Sequence, residues 1–163
     1  MTDGAAILVH AQDHPERYGV LEFDAAGRPR TIVEKPAVPP SPFAVTGVHF
    51  YDPDAVEIAR ALTPSPRGEI EITDLNNAYL AAGRLSIETL PDSVNWLDMG
   101  TPDGLLEAAR LVADEQRRLG ARIAVPEAVA WRLGHIDDAQ LERLAAQYDN
   151  DYGRYLAGLL RRA

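Results

Sequence analysis

The sequence predicts an α/β protein, a mixed β-sheet with flanking helices followed by a helical carboxyl-terminal appendage. Three observations predict it. The first third alternates short runs rich in β-branched and aromatic residues with turns. The middle alternates helical and strand patterns. From Thr101 onward the apolar periodicity is wholly helical.

Taken in order, Ala5–His10, Gly19–Phe23, Arg30–Glu34 and Ala44–Tyr51 read as strands. Asp24-Ala25-Ala26-Gly27 joins the second and third, and a Gly closing such a loop suits a hairpin. Between the third and fourth lies Pro36-Ala37-Val38-Pro39-Pro40-Ser41-Pro42, an extended loop whose prolines cannot donate to a ladder. Asp52-Pro53 offers an N-cap and a first-turn proline, with Val56, Ala59 and Leu62 following at near-helical spacing. A second helix starts near Thr73 and stops at Gly83, and Leu85–Leu90 returns as a strand. Thr101-Pro102 then opens a long helix with Leu105, Ala109, Val112, Gln116 and Leu119 on one stripe and Gly120 as its stop. A last helix carries Tyr152, Tyr155, Leu156, Leu159 and Leu160 on one face, with Asp149 and Asp151 at its start and Arg161 and Arg162 at its end, each sign favourable to the helix dipole.

At 163 residues, with 46% hydrophobic and 25% charged residues, the chain has the balance of a soluble globular protein. The net charge of −9 opposes association with nucleic acid or anionic membranes. Cysteine is absent, which removes disulfides, thiolate zinc sites and cysteine nucleophiles and suits a reducing compartment. Residues Met1–Ala11 lack the basic start of a signal peptide, and no run approaches the ~20 apolar residues of a membrane helix. The expected location is cytoplasmic.

Among sixteen basic residues Lys35 is the single lysine, between Glu34 and Pro36 at a strand end. A compact ammonium there suits a phosphate, the alternative being an ordinary surface lysine. Glu34 and Lys35 point to opposite faces if the strand stays regular, so both serve one pocket only if the chain twists before Pro36. A carboxylate accepting sugar hydroxyls beside an ammonium meeting a sugar phosphate is a coherent division of labour. Asp98, in Trp96-Leu97-Asp98-Met99-Gly100-Thr101, stands at a strand end before a capped helix, as a hard-oxygen Mg²⁺ ligand or a turn residue. Arg67 with Glu69, Glu71 and Asp74 forms a further polar cluster, for which mutual ion pairing is the plain explanation. The four histidines show no metal-ligand spacing, and His49 reads as a partner-bonded imidazole in an apolar strand. No Gly-rich dinucleotide or Walker loop and no Gly-x-Ser-x-Gly elbow is present.

In order, His14-Pro15-Glu16-Arg17-Tyr18-Gly19-Val20, Val33-Glu34-Lys35-Pro36, Ala44-Val45-Thr46-Gly47, Phe50-Tyr51-Asp52, Arg67-Gly68-Glu69-Ile70-Glu71-Ile72-Thr73-Asp74, Trp96-Leu97-Asp98 and Asn150-Asp151-Tyr152-Gly153 resemble glucose-1-phosphate thymidylyltransferases of the route to dTDP-rhamnose. The resemblance runs from about Ala5 to the end. It implies the carboxyl-terminal part of a Rossmann-like nucleotidyltransferase fold, with residues 1–119 the sugar-phosphate-binding part and 120–163 a helical appendage. It implies transfer from dTTP to glucose 1-phosphate with Mg²⁺, giving dTDP-glucose and pyrophosphate. Carried over, Gly19 and Val45 offer backbone contacts to glucose, Glu34 accepts its hydroxyls, Lys35 holds the phosphate and Tyr18 shapes the pocket. Arg67 adds charge near the phosphates or locks Lys35 and the acids, and Asp98 is one of two metal aspartates.

The half of such enzymes that carries the Gly-rich nucleotide loop and the other metal aspartate has no counterpart in these motifs, so the chain alone is expected to lack transferase activity. Met99 replaces the usual threonine, His49 a usual tyrosine, and Ala128 a glutamate expected to contact the feedback inhibitor dTDP-rhamnose. Val129 and Arg132 remain as contributors to that regulatory site. The resemblance also implies a homotetramer. Two further readings stand beside it: a non-catalytic assembly or regulatory module pairing with a full-length homologue, and a nucleotidyltransferase for another base or sugar.

Overall fold

The computed structural model describes residues 3–161. They form two compact units, Met1–Trp96 and Leu97–Ala163.

The first unit is a five-stranded sheet in the order β3-β2-β4-β1-β5, made of β1 (Ala5–Ala11), β2 (Gly19–Phe23), β3 (Pro29–Glu34), β4 (Phe43–Tyr51) and β5 (Leu85–Thr89). Every strand expected from the sequence is present. The β2–β3 and β1–β4 pairs are antiparallel, and β1 and β5 run parallel, which makes the sheet mixed. The Asp24–Arg28 connection is a hairpin: Gly27, at φ 75°, donates to the Asp24 carbonyl at 2.9 Å, and the Asp24 carboxylate collects the Ala26 and Arg28 amides. Ile7, Val9, Leu21 and Ile32 form a buried cluster against one face of the sheet. Each such side chain contributes about 1.5–3 kcal/mol by leaving water.

Helix α2 (Ile72–Ala81) lies over this sheet. It is fastened by Asn77, whose side-chain amide accepts from the Ile32 N–H and donates to the Ile32 carbonyl, both at 2.8 Å. The side chain thereby covers part of the outer edge of β3. Leu75 and Tyr79 pack with Ala5, Ile58 and Leu62.

Helix α1 spans Ala55–Ala61, two residues later than an Asp52 cap would set it, and its first turn has no side-chain cap. The reason is that Asp52 is buried at 7% exposure and its carboxylate is engaged by three other segments. It accepts from the Gly4 N–H, the Tyr79 hydroxyl and Arg84, each at 2.6 Å, and only its Oδ1 reaches the Asp54 amide, at 3.1 Å. The Tyr79 hydrogen bond is the chief cause holding the Asp52 carboxyl below the usual range, while burial pushes Tyr79 up to about 12.

The second unit is helical: α3 (Pro102–Leu119), α4 (Pro126–Arg132), α5 (Asp138–Ala145) and α6 (Asp151–Leu160). The expected signals bound α3, since the Thr101 hydroxyl accepts from the Gly104 amide and Gly120 takes φ 60°. Its stripe residues Leu105, Val112 and Leu119 are exposed, and Ala108 is the buried position. Leu141 and Leu156 centre a core shared by α4, α5 and α6. Asn150 caps α6 through the Tyr152 and Gly153 amides. A Cβ on Gly153 would lie 2.1 Å from the Tyr148 carbonyl, which accounts for glycine in the Asn150–Gly153 motif. Arg162 lies outside the described residues. α4 and α5 fall within the helical appendage expected over 120–163, and Asp137 and Gln140 form a capping box for α5.

Candidate functional site

The site is built where β2 begins and β3 ends, beside the start of α2. Gly19 opens β2 and Glu34 closes β3, and they are partners in the antiparallel ladder. The Glu34 carboxylate accepts from the Thr73 hydroxyl at 2.5 Å, so the first turn of α2 holds a side chain 39 residues away in sequence. Glycine is required opposite: a Cβ at position 19 would sit 2.9 Å from the Thr73 hydroxyl and 3.3 Å from Glu34 Oε2. The sequence marks Thr73 only as a helix start inside the Arg67–Asp74 motif, and the structure adds it to the candidate site.

Arg67 comes from the loop before α2. Its guanidinium lies 3.6 Å from Glu34, 3.3 Å from Glu69 and 3.3 Å from Glu71. Glu71 is buried and also accepts from the Ser65 hydroxyl at 2.9 Å, which fixes it as the anchor of Arg67. The pairing of Arg67 with its neighbouring acids is therefore present, and it extends across the fold to Glu34. As Arg67 is itself partly exposed, solvent screens these pairs and their work is orientation more than stability.

Lys35 follows with φ 42°, the left-handed region that residues with a Cβ seldom enter. This supplies the twist that Glu34-Lys35-Pro36 needs: the strand alternation is broken at Lys35, while its N–H still donates to the Tyr18 carbonyl at 2.9 Å. Such backbone strain costs about 1–3 kcal/mol and tends to occur at functional positions. The Lys35 side chain is exposed. Tyr18 stands on the other side of that hydrogen bond, its ring meeting Trp96 edge-on at 4.9 Å with the Arg17 guanidinium 5.9 Å from its centroid. Trp96 was noted only as part of a motif and joins the site here.

Val45 neighbours Ala44, the residue that pairs with Val20, so its backbone falls in register beside Gly19. Its side chain packs on the sheet core, leaving the backbone as its available contribution. The structure thus brings Tyr18, Gly19, Glu34, Lys35, Val45 and Arg67 to one end of one sheet.

Asp98 belongs to the second unit, where its Oδ1 accepts from the Gly100 amide at 3.0 Å before α3. Among the described residues no group of three or more His, Asp or Glu side chains could hold a metal ion. One carboxylate does not by itself meet the octahedral demand of Mg²⁺, so these residues alone do not make a magnesium site. Val129 and Arg132 on α4 line a cleft of about 370 Å³ with Arg122 and Tyr155. Ala128 is buried in the helical core, 3% exposed.

His49 differs from expectation. It stacks on Tyr51 at 6.0 Å, but among the described residues its buried Nδ1 has no hydrogen-bond partner, unlike the partner-bonded imidazole expected in an apolar strand. Burial pushes its pKa down.

Residues 2–115 match the family described as nucleotidyl transferase. A glucose-1-phosphate thymidylyltransferase of Mycobacterium tuberculosis is 49% identical over 160 residues, covering 98% of this chain and 56% of that protein. One from Xanthomonas campestris pv. campestris is 51% identical over 160 residues, covering 98% and 54%. A Bacillus anthracis crystal structure with sucrose, assigned as a glucose-1-phosphate thymidylyltransferase, superposes with TM-score 0.59 at 41% identity over 67% of this chain and 43% of its own. The chain spans about half the length of the curated relatives it matches.

Proposed function

Because the chain belongs to the nucleotidyl transferase family, we propose that it carries the sugar-phosphate-binding part of a glucose-1-phosphate thymidylyltransferase. The observation that carries the proposal is Glu34, held by Thr73 and Arg67 opposite Gly19, with Lys35 turned out of strand geometry immediately after it. The names of the relatives favour this reading over a non-catalytic assembly module.

In the proposed reaction a phosphate oxygen of glucose 1-phosphate attacks the α-phosphorus of dTTP, one P–O bond forms, the bond to the β-phosphate breaks, and pyrophosphate leaves with dTDP-glucose formed. The chemistry asks mainly for positioning and charge neutralisation. Glu34 accepts glucose hydroxyls, and the Gly19 and Val45 backbones contact the sugar. Tyr18 walls the pocket. The Lys35 ammonium neutralises the sugar phosphate, and Arg67 orients Glu34 while adding positive charge. Within this reading Asp98 would be one carboxylate ligand of a Mg²⁺ ion, which would supply charge neutralisation at the phosphates. Residues 1–119 then serve the sugar phosphate and 120–163 form the appendage, whose Val129 and Arg132 contribute to regulation by a dTDP-sugar. A cytoplasmic homotetramer completes the proposal, and no helix among the described residues is long and apolar enough to cross a membrane.

Calorimetric titration of the chain with glucose 1-phosphate tests the sugar site. Glu34→Gln and Lys35→Ala are expected to weaken binding tenfold or more with an unchanged circular dichroism spectrum, and an affinity unchanged from the parent in both variants would remove the sugar-phosphate assignment. A coupled pyrophosphate-release assay with dTTP, glucose 1-phosphate and Mg²⁺ is expected to stay at background for this chain alone. Robust turnover there would overturn the division of labour.

A further inference from the structure

We infer that Ser65, in the loop between α1 and α2, is a positioning residue of the proposed site. Its hydroxyl holds Arg67 at the backbone directly and at the guanidinium through Glu71, and so sets the affinity for a phosphate-bearing ligand that Ser65 itself does not touch. The ligand in this inference rests on the sugar-phosphate reading, whereas the hold on Arg67 rests on geometry alone.

Both backbone groups of Ser65 and its hydroxyl are engaged. The N–H donates to the Glu69 carbonyl and the carbonyl accepts from the Gly68 N–H, both at 2.8 Å, which closes a tight turn over residues 65–69. Gly68 permits that turn by taking φ 81°, a conformation that residues with a Cβ seldom enter. The hydroxyl donates to Glu71 Oε1 at 2.9 Å and accepts from the Arg67 N–H at 3.2 Å. Pro64 and Pro66 flank the serine. The ring of Pro66 confines Ser65 to extended backbone, and each proline fixes its own φ, so little backbone freedom is left to redirect the hydroxyl.

Glu71 completes the device. It stands at the N-cap position of α2 with φ −93° and ψ 134°, yet its side chain caps no amide of that helix. Among capping residues an oxygen there ordinarily accepts from first-turn N–H groups. The buried Glu71 carboxylate turns to the loop instead, where Oε1 meets both the Ser65 hydroxyl and Arg67 Nη1, the latter at 3.3 Å. One oxygen thus joins the serine to the same Nη1 that lies 3.6 Å from Glu34 Oε1. The Arg67 side chain is 41% exposed, so a ligand can still reach the guanidinium that these contacts hold. A long side chain that is ordered before the ligand arrives loses less rotamer freedom on binding, and affinity rises by that difference.

The test compares the parent chain with Ser65→Ala, Ser65→Thr, Arg67→Ala and the double variant Ser65→Ala with Arg67→Ala. NMR relaxation of the Arg67 Nε–Hε group needs no ligand, and its signal is identified by its loss in Arg67→Ala. In Ser65→Ala the order parameter is expected to fall below about 0.6, the flexible range, while Ser65→Thr keeps the hydroxyl and the parental value. Calorimetric titration with glucose 1-phosphate is expected to show about fivefold weaker binding in Ser65→Ala and parental affinity in Ser65→Thr. Added to Arg67→Ala, the serine change is expected to cost less than about twofold, because a residue acting through Arg67 then has nothing left to hold. An Arg67 order parameter unchanged in Ser65→Ala overturns the inference. So does an affinity loss of equal size with and without Arg67, which would make Ser65 a general structural residue or a ligand contact. If the parent does not bind glucose 1-phosphate, the sugar-phosphate reading falls, and the Arg67 order parameter still decides whether Ser65 holds that side chain.

Discussion

Replacing Gly19 by Ala should disturb the proposed sugar-phosphate site without touching a charged group. The Gly19 φ lies outside the left-handed region, so alanine meets no backbone obstacle there. The obstacle is Thr73: the new Cβ would lie 2.9 Å from its hydroxyl, about 0.5 Å inside ordinary contact, with Glu34 Oε2 and Ile32 Cγ2 at 3.3 Å. Overpacking of this kind costs about 1–3 kcal/mol, and the lower conformational entropy of the unfolded chain when Gly is exchanged for Ala offsets about 0.4–1 kcal/mol. A net loss of about 1–2 kcal/mol is expected in urea unfolding. Gly47→Ala is the control, because its Cβ would have nothing within 4 Å, and it should match or slightly exceed the parent. Glucose 1-phosphate affinity should fall at least tenfold in Gly19→Ala, because Thr73 and Glu34 can no longer hold their hydrogen bond. Removing the hydroxyl as well, in Gly19→Ala with Thr73→Ala, should return about 1 kcal/mol relative to the sum of the two single changes. If Gly19→Ala is as stable as Gly47→Ala and binds the sugar phosphate normally, the packing account of the site is wrong.

Lys35→Gly should exceed Lys35→Ala in stability by about 1 kcal/mol, since glycine takes φ 42° without the Cβ penalty, and the two should bind the sugar phosphate equally poorly. Equal urea midpoints would remove strain from the account of Lys35. Asp52 has its pKa lowered chiefly by the Tyr79 hydrogen bond, so its contribution is complete above the unfolded carboxylate range and is lost as pH falls through the folded value. Unfolding measured from pH 7 to 3 should therefore lose an acid-sensitive component in Asp52→Asn, which should also be less stable at pH 7. His49 has its pKa lowered by burial from 6.5, so the unfolded chain binds the proton first and stability falls as pH drops below about 6.5, levelling off beneath the folded value. His49→Phe should flatten that part of the pH profile, and an unchanged profile would place the dependence elsewhere.

Much of the first unit was legible in one dimension. Gly27, Gly83 and Gly120 stop or turn the chain where the sequence marks them, and all take positive φ. Thr101 caps α3 as its position before Pro102 implies. The oddity of a lone lysine after a strand glutamate pointed to the end of β3 as a candidate site, and the ordered motifs indicated the family. Signals of this sort are local: a period, a cap or a turn is set by residues within about one helical turn of each other. Short helices escape them. α4 has seven residues and no side-chain cap, and α5 has eight, which is little periodicity to detect.

By itself the sequence determined the order of strands and helices, the acidic and cysteine-free character, and the set of polar residues worth following. Only the tertiary structure decided which of them meet. Thr73 reaches Glu34 and Asn77 reaches Ile32 because α2 crosses back over β3, a pairing 45 residues long for Asn77. Asp52 reads as a helix cap and is instead the buried acceptor for Gly4, Tyr79 and Arg84. The physical reason is common to all three: a hydrogen bond between distant residues depends on sheet register and helix placement, which are settled by burying the whole apolar face at once.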